Sequence, residues 1–475
     1  MVTNMSASSE STSAESDGLT LKAVVKGAGP SGLAAAIALA QSGFDVQVAE
    51  KRPSRPVGHG RKNMVALRPE ALRQLDKLGA LKYALSPDQN EGGVGCITRM
   101  VEGRTTSQID GSIFEWPLQR YPGAEPPDSM SNDQENEYEI PNKINEQVPS
   151  SFINLGDLED CLLQAAADLG VRVADDATIH LAPGGCPKEF SATLKQNSGT
   201  STSLGVPDLV VCASGKNDRS LTDELKIQRI SCAVLSDADL ATATNLDEPL
   251  ALRLRADRNE YLESQLYSVF GVRDLSLTIG TLDHVIRKHT SGPTHVSQPV
   301  VEIQMNHATA AHFILQHPRS SPPLHTNTQA LETYILDRIN ARLKTSYTSV
   351  QHLIGSGNLV WGEPLAPITV ETLTAPQFVY GDNVILIGDC AMSCSPSSGL
   401  GADIGVTVDS QSVRALAEDF RDARGVGRKE RRMEALVQFN RRKAASAVIW
   451  SQGSRGFYLT RREADEVLER QRCTV

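Results

Sequence analysis

Residues 22–52, KAVVKGAGPSGLAAAIALAQSGFDVQVAEKR, constrain the fold of this chain more than any other segment. A short β-branched run ends at Gly27, an Ala- and Leu-rich run of helical character follows, and a second apolar run ends at Glu50. The glycines have separate purposes. Gly27 permits a tight strand-to-helix turn, Gly29 lets the backbone approach a pyrophosphate, and Gly32 lets the helix pack closely on the strand. The segment therefore predicts a strand–turn–helix–strand unit.

The start of the predicted helix suits an anion. Its first backbone N–H groups have no partner inside the helix, and the helix dipole favours negative charge there. Glu50 follows the glycines by about 20 residues, where a carboxylate accepts hydrogen bonds from an adenosine ribose. The whole unit is more specific than the G-x-G-x-x-G pattern alone. It predicts a dinucleotide site, the alternative being a glycine-rich turn in an ordinary βαβ unit.

Length and composition describe an acidic globular chain. With 475 residues it is long enough to bury a sizeable core, and 40% hydrophobic and 22% charged residues are ordinary values. The net charge of −10 argues against a nucleic-acid partner and an anionic membrane surface. The eight cysteines show no metal-ligand spacing, and no run approaches the roughly 18 apolar residues of a membrane span. We expect a cytoplasmic protein with free thiols, no metal and no transmembrane segment; its oligomeric state stays open.

Changes in composition along the chain predict an α/β protein in which a Rossmann-like nucleotide-binding domain is interrupted and later resumed. Leucines on one face predict a single helix from Met64 to Leu81. The polar segment 101–150 is expected to be a surface insertion, or alternatively a lid over a substrate site. The predicted divisions are a disordered tail (1–18), three parts of the nucleotide-binding domain (19–100, 151–225 and 366–416), the insertion (101–150), a mixed-sheet substrate domain (226–365) and C-terminal helices (417–475).

A second informative stretch, NVILIGDCAMSCSPSSGLGADIGVTVD, covers residues 383–409. An apolar strand ends just before Asp389, and a glycine-rich loop containing Gly399 and Gly401 opens a helix. An acid at a strand end can hold a sugar or ribityl hydroxyl, and a glycine-rich helix start presents N–H groups to a phosphate or an electron-rich ring edge. Two such turns, far apart in sequence, suit one long cofactor held at both ends.

With these motifs the chain resembles the FAD-dependent monooxygenases of the para-hydroxybenzoate hydroxylase type, whose C-terminal signature is G-D-A-A-H, then Pro, then G-x-G-x-N. Glu50-Lys51-Arg52 and Arg61-Lys62-Asn63 make it most similar to the branch that includes the MICAL flavoprotein domain. The tail LVQFNRRKAASAVIWSQ is also similar to the family's C-terminal helix. The resemblance implies an FAD-binding domain of the glutathione-reductase type, with FAD as cofactor and NADPH or NADH as transient reductant.

The resemblance also implies which residues contact the cofactor. From one end of FAD to the other, the assigned residues are Glu50 and Lys51 at the adenosine ribose, Gly27, Gly29, Ser31 and Gly32 at the pyrophosphate, Arg61 and Asn63 along the phosphates or near the flavin, Asp389 at the ribityl chain, and Pro396, Gly399, Leu400, Gly401 and Ala402 at the isoalloxazine. The alternatives are a solvated loop charge for Arg61 and a helix N-cap for Asp389. No catalytic side chain is assigned.

Several positions depart from the family pattern. Met392 stands where the family usually has His, Asp403 where it has Asn, Ser214 where it has an acid, and Gly156 where a basic residue is common. Lys26 is an unusual polar residue at the end of the first strand. The turns that hold FAD are intact, so these departures bear on NADPH handling and on flavin movement.

The family's reduced flavin and oxygen form a C4a-hydroperoxide, which the protein keeps dry and aims at a substrate. We therefore expect a monooxygenase that hydroxylates or epoxidises a small, largely apolar molecule of specialised metabolism. The alternative is a scaffold of the same fold that catalyses a non-redox step such as a cyclisation. A flavin halogenase is disfavoured because W-x-W-x-I-P is missing, and a disulfide reductase because C-x-x-C is missing.

Overall fold

The computed structural model describes residues 20–58, 60–61, 63–85, 97–100, 102–107, 113–116, 151–186, 188–216, 218–226, 230–231, 263–272, 281–287, 300–306, 311–318, 328–343, 346, 348–349, 352, 368–371, 373–375, 377–393, 400–423 and 427–456. The strands in chain order are β1 (Lys22–Lys26), β2 (Asp45–Ala49), β3 (Met64–Leu67), β4 (Thr98–Arg99), β5 (Glu102–Ser107), β6 (Ile113–Trp116), β7 (Ser151–Asn154), β8 (Arg172–Ala174), β9 (Ala177–Pro183), β10 (Phe190–Gln196), β11 (Ser201–Gly205), β12 (Leu209–Cys212), β13 (Ile230–Ser231), β14 (Glu263–Val272), β15 (Thr281–Arg287), β16 (Val300–Asn306), β17 (Ala311–Pro318), β18 (Ile368–Glu371), β19 (Leu373–Thr374), β20 (Val379–Tyr380), β21 (Val384–Leu386) and β22 (Met392–Ser393).

The helices are α1 (Pro30–Gln41), α2 (Pro69–Lys77), α3 (Leu81–Leu85), α4 (Leu155–Asp168), α5 (Arg219–Leu225), α6 (Thr328–Leu343), α7 (Gly388–Ala391), α8 (Leu400–Ile404), α9 (Ser410–Asp422) and α10 (Arg428–Gly456). A π-helical turn, Gly405–Asp409, joins α8 to α9. Among the described residues, no helix is both long and apolar enough to cross a bilayer.

A six-stranded sheet forms the centre of the nucleotide-binding domain, in the order β20-β21-β12-β1-β2-β8. All neighbouring pairs are parallel except β20 with β21. The core strands β1 and β12 are almost entirely buried, which explains why they read as continuous apolar runs rather than alternating ones. The predicted α/β, Rossmann-like fold is confirmed.

Helix α1 is buried on all sides. Every residue from Gly32 to Leu39 is buried, because the helix lies against the parallel sheet and is also in contact with α4, α9 and the π-helical turn. This environment explains its Ala-rich sequence, since a helix without a solvent face needs no polar stripe and small side chains let its neighbours approach closely. The position of α1 in the core thereby fixes the glycine turn that precedes it.

A seven-stranded sheet in the order β18-β14-β17-β16-β15-β5-β6 forms the second layer of structure. The pairs are antiparallel except for β15 with β5, which gives the mixed sheet that the sequence predicted for residues 226–365. Strands β5 and β6 belong to the segment predicted as a surface insertion, and β18 to the last part of the nucleotide-binding domain. The described parts of 101–150 are thus integral to this sheet.

A small sheet, β3-β7-β4, lies between these two parts of the molecule. The buried side chains of Met64 and Phe152 in this sheet, together with Met100 just after β4, pack against Ile303 and Met305 of the seven-stranded sheet. The amide of Met64 also donates to Nδ1 of the buried His312, 3.2 Å away. The seven-stranded sheet is therefore docked on the nucleotide-binding domain through an apolar, methionine-rich contact.

The single helix predicted from Met64 to Leu81 was wrong. Met64–Leu67 forms β3, paired with β7, and the helix starts at Pro69. Proline is favoured in the first turn of a helix because its missing N–H would have no partner there, so Pro69 marks a helix start rather than a continuation.

Candidate functional site

The residues predicted to bind the cofactor come from turns that meet at one edge of the parallel sheet. Gly27 follows β1, Glu50 follows β2, Ala213 follows β12, and Gly388 follows β21. The amide of Gly27 donates to the carbonyl of Ala49, and the amide of Ala213 to the carbonyl of Lys26, each at 2.8 Å. The carboxyl edge of an open parallel sheet is where ligands bind in α/β proteins, and the predicted residues converge there.

The glycines of the first turn differ in their surroundings, in the manner expected from the motif. Gly27 has φ of +105°, and a Cβ on it would lie 2.6 Å from the carbonyl oxygen of Ala213. A Cβ on Gly32 would collide with the carbonyl oxygen of Gly27. Gly29 has an extended backbone, and a Cβ there would meet nothing within 4 Å. Gly27 and Gly32 are thus required by the fold, whereas a side chain at Gly29 would be tolerated by the protein itself, and its role at a pyrophosphate stays a prediction.

The N-terminus of α1 is open to an anion. No side chain caps it, and its first turn contains no acidic residue that would compete with a phosphate. Glu50 lies beside it, since its Oε2 accepts from the amide of Ala28 at 2.8 Å. Its Oε1 accepts from the amide and Nε of Arg52, at 2.9 and 2.8 Å. Burial alone would raise the pKa of this carboxyl, but the bonds and charge of Arg52 and the Ala28 amide outweigh it and lower the pKa.

The turn after β21 packs directly on α1. Gly388 has φ of +60°, and a Cβ on it would lie 2.8 Å from Oγ of Ser31. Asp389, exposed, lies in the first turn of α7, whose N-cap is Ile387, so Asp389 is not the cap that was the alternative to a ligand role. A Cβ on Gly401 would come within 4.0 Å of Oδ1 of Asp389. The two halves of the predicted FAD site therefore adjoin each other.

The basic residues after β2 lie on the other side of Glu50. Arg61 forms an ion pair with the buried Glu159 at the start of α4, and its Nε is buried with no hydrogen-bond partner. The carbonyl of Asn63 accepts from the amide of Leu155 at 2.8 Å. Lys51 is exposed. The orphaned Nε leaves Arg61 a donor for a ligand, and the phosphate contacts of these residues stay predictions.

The presence of glycine at position 156 is explained by a close contact between two backbone segments. Its backbone touches that of Gly60, and a Cβ on Gly156 would lie 2.5 Å from Cα of Gly60. The basic residue that the family often carries at this position cannot fit here without moving one of the two segments. Positive charge is instead supplied from the preceding loop by Arg52 and Arg55, which pair with the buried acids of α4. Sequence reasoning missed these pairs, although the acid-rich helix start LGDLEDC was their signal.

Ser214, which stands where the family usually has an acid, contacts a carboxylate four residues later. Oγ of Ser214 donates to Asp218 at 2.5 Å, and Asp218 also forms an ion pair of 3.2 Å with Lys26. Lys26, only 2% exposed, further contacts Ser220 and Glu224. Its unusual place at the end of β1 is therefore explained by a buried polar network that ties α5 to the core strand.

Asp403 and Met392, two further departures from the family pattern, are both buried. Asp403 is buried in α8 and pairs with Arg68 at 3.2 Å, a contact that the family's usual Asn could not make as an ion pair. Burial raises the pKa of Asp403, an effect that the charge of Arg68 only partly offsets. Met392 is buried in β22. Ala402 is half-buried in the same helix as Asp403. Of the predicted ring contacts, Pro396, Gly399 and the Leu400 side chain lie outside the described residues.

Within the described part of the chain, no group of His, Cys, Asp or Glu side chains is arranged to hold a metal ion. Cys161, Cys186, Cys212 and Cys390 are free thiols. Burial raises the pKa of the Cys161 thiol to about 12, which keeps it in the unreactive protonated form at neutral pH.

Comparisons with known proteins agree with this geometry. Residues 25–76 match the family model described as an NAD(P)-binding Rossmann-like domain. No curated protein matches the chain. Among solved structures, 2-methyl-3-hydroxypyridine-5-carboxylic acid oxygenase matches at 18% identity and a TM-score of 0.54, over 89% of this chain and 86% of that one.

Two further structures have similar scores. Tetracycline destructase Tet(51) is 13% identical with a TM-score of 0.52, over 94% of both chains. Flavin-dependent brominase Bmp2 is 13% identical with a TM-score of 0.55, over 85% of this chain and 79% of that one. These comparisons do not support the narrower resemblance to the MICAL branch. They show that the chain shares its overall fold with these structures.

Proposed function

We propose that this protein is an FAD-dependent monooxygenase that hydroxylates or epoxidises a small organic molecule, with NADPH or NADH as reductant. The observation that carries the proposal is the uncapped start of α1, where a Cβ on Gly29 would meet nothing within 4 Å and where the turn at Gly388 approaches Ser31. A fold-level likeness to flavin enzymes at 13–18% identity would not suffice alone. Together, the turn at Gly27–Gly32, Glu50 and the turn at Gly388 form the cradle that we assign to a dinucleotide.

Each part of the cradle has a task in holding FAD, which when bound activates oxygen for transfer to an organic substrate. The N–H groups at the start of α1, beside Gly29, hold the diphosphate. Glu50, kept ionised by Arg52, accepts from the adenosine ribose. The exposed carboxylate of Asp389 is placed to accept from the ribityl chain, and Gly401 beside it leaves room for the ring.

The substrate is proposed to lie between the flavin and the seven-stranded sheet. Helix α8, which is assigned to the ring, packs on β3, and β3 packs on the seven-stranded sheet through the methionine-rich cluster. Methionine side chains adapt to irregular apolar shapes and exclude water. This environment favours a largely apolar substrate and keeps reactive oxygen species away from bulk solvent.

The test is anaerobic reduction of the purified holoprotein, followed by absorbance of the flavin band. NADPH or NADH, added separately, is expected to bleach the band, and admission of air is expected to restore it. Dithionite provides the control because it reduces bound flavin without a nicotinamide site. Flavin that dithionite reduces and neither nicotinamide reduces would contradict the monooxygenase, and protein that binds no FAD would contradict the cofactor assignment as well.

A second candidate is an FAD-binding scaffold that catalyses a non-redox step such as a cyclisation. The observation that favours it is that a neutral residue, Ser214, stands at the position of the family's acid. The nearby carboxylate of Asp218 is engaged by Lys26. A flavin that stays oxidised with both nicotinamides, in the presence of a turned-over substrate, would support it. Halogenation is distinguished by product analysis, because a halogenated product forms only when bromide or chloride is supplied.

A further inference from the structure

We infer that Lys443, on the C-terminal helix α10, is a positioning residue for the turn at Gly388, which precedes the proposed ribityl ligand Asp389 and is called the flavin turn below. Lys443 acts through the carboxylate of Asp409. The inference rests on the proposed FAD site, and it adds a residue that lies 54 positions after Asp389 in the sequence. Nothing in the two cofactor-binding motifs indicates a role for α10.

The first step is a buried ion pair. Nζ of Lys443 binds Oδ1 of Asp409, and the two residues are 3% and 0% exposed. A charge so far from water is tolerated only when it is paired and hydrogen-bonded, because its hydration has been lost. Lys443 therefore supplies the positive charge that compensates the buried carboxylate of Asp409.

The second step runs from Asp409 to the flavin turn. Its other oxygen, Oδ2, accepts from the amide of Gly388 at 2.7 Å. Hydrogen bonds from an amide to a carboxylate are stronger than neutral ones, so this contact fixes the turn. Gly388 also lies close to Ser31 of α1, since Ser31 Oγ is 2.8 Å from where a Cβ on Gly388 would be. The turn is held between Ser31 and Asp409.

The third step is the placement of Asp409 by the π-helical turn Gly405–Asp409. Gly405 at its start packs on Ser31, where a Cβ would collide with Oγ, and Asp409 at its end bonds to Gly388. One short turn therefore touches both halves of the cofactor site. Wide turns of this kind are rare and are often found at functional sites. Lys443, on the neighbouring helix α10, binds the last residue of this π-helical turn. The turn in turn holds Gly388, and the next residue is the proposed ribityl ligand Asp389.

The expected result of Lys443→Met is an apoprotein that binds FAD at least tenfold more weakly than the wild type, because the carboxylate of Asp409, left without its counter-charge, shifts away from the amide of Gly388. Lys443→Arg, which keeps the charge, should restore binding in part. The double variant Lys443→Met with Asp409→Asn should bind FAD within about threefold of the wild type, because the amide oxygen of Asn still accepts from Gly388 and no charge is left unpaired.

The matched control is Lys429→Met, on the same helix. Lys429 pairs with Asp382 at 3.3 Å, but its side chain is 67% exposed, so removing it should leave FAD binding unchanged. The dissociation constant of FAD is measured by flavin fluorescence on apoprotein. Melting temperatures are measured with and without FAD, and the absorption spectrum of the bound flavin is compared.

If Lys443 has only a structural role, Lys443→Met should lower the melting temperature of the apoprotein but leave unaltered the increase in melting temperature that FAD causes. Lys443→Met with wild-type affinity for FAD, or with an unaltered FAD-induced increase, would overturn the inference. If Lys443→Met alone does not fold, the double variant decides, since failure of the folded double variant to bind FAD contradicts the argument. Wild-type protein that binds no FAD would overturn the proposed function, and this inference with it.

Discussion

Replacing Gly29 with valine should separate folding from cofactor binding. Gly29 has an extended backbone that valine adopts readily, and a Cβ would meet nothing within 4 Å. The expected cost to the apoprotein is the difference between Gly and Val at a helix N-cap, about 1 kcal/mol. In a chain of this size that corresponds to a decrease in melting temperature of no more than about 2–4 °C.

The cost to FAD binding should be much larger. The valine methyl groups occupy the space proposed for the diphosphate and displace it from the N–H groups of α1. Loss of two hydrogen bonds to a charged phosphate, at about 1.5–3 kcal/mol each, corresponds to at least a hundredfold increase in the dissociation constant. The assay is equilibrium titration of apoprotein with FAD, followed by flavin fluorescence, together with thermal melting of the apoprotein.

Gly32→Val supplies the contrasting variant. Its Cβ would collide with the carbonyl oxygen of Gly27, so the variant should lose stability before any cofactor is added. A Gly29→Val protein that is folded and binds FAD with wild-type affinity would refute the reasoning, because the open space would then not be the diphosphate site.

Two further predictions concern the buried contacts around the site. Burial alone would raise the pKa of Asp218, but the charge of Lys26 and the hydroxyls of Ser214 and Ser220 lower it. The stability this provides is present above the unfolded pKa of about 4 and is lost as pH falls through the folded value. In urea unfolding, Asp218→Asn should therefore be less stable than the wild type at pH 7, and it should lose less stability between pH 5 and pH 3. If the stabilities of the two proteins fall in parallel over this pH range, the ion pair does not stabilise the fold as argued. Gly156→Ala should lower the free energy of unfolding by about 1–3 kcal/mol in the same assay, because its Cβ would meet the backbone of the preceding loop. The control Gly185→Ala should leave that free energy nearly unchanged, because its Cβ would meet nothing within 4 Å. Equal effects of the two substitutions would show that the loop moves without cost.

The local pattern was sufficient to predict the nucleotide-binding unit. The turn from Gly27 to Gly32, the buried strand before Gly388 and the acid at Glu50 each follow from short-range rules on backbone freedom, helix ends and apolar runs. Parallel strands place their carboxyl ends at one edge, so the meeting of these segments could be expected once the fold class was assigned.

Other elements depended on partners that the local sequence does not specify. Leu67 continues the leucine spacing of the following helix, yet Met64–Leu67 forms a strand because β7 supplies its hydrogen-bond partners. Strands β5 and β6 come from a polar segment, and they are strands because they extend the edge of a sheet whose other members are far away in sequence.

The glycine turn, its position in the chain and the α/β class could be derived from local patterns, since these rest on interactions within about thirty residues. The partners of the buried charges became evident only in the folded molecule. Lys26 with Asp218 and Lys443 with Asp409 are separated by 192 and 34 residues, and no pattern in the sequence joins them. The physical reason is that a buried charge is tolerated only beside its counter-charge, and which charges become neighbours is determined by the packing of the whole chain.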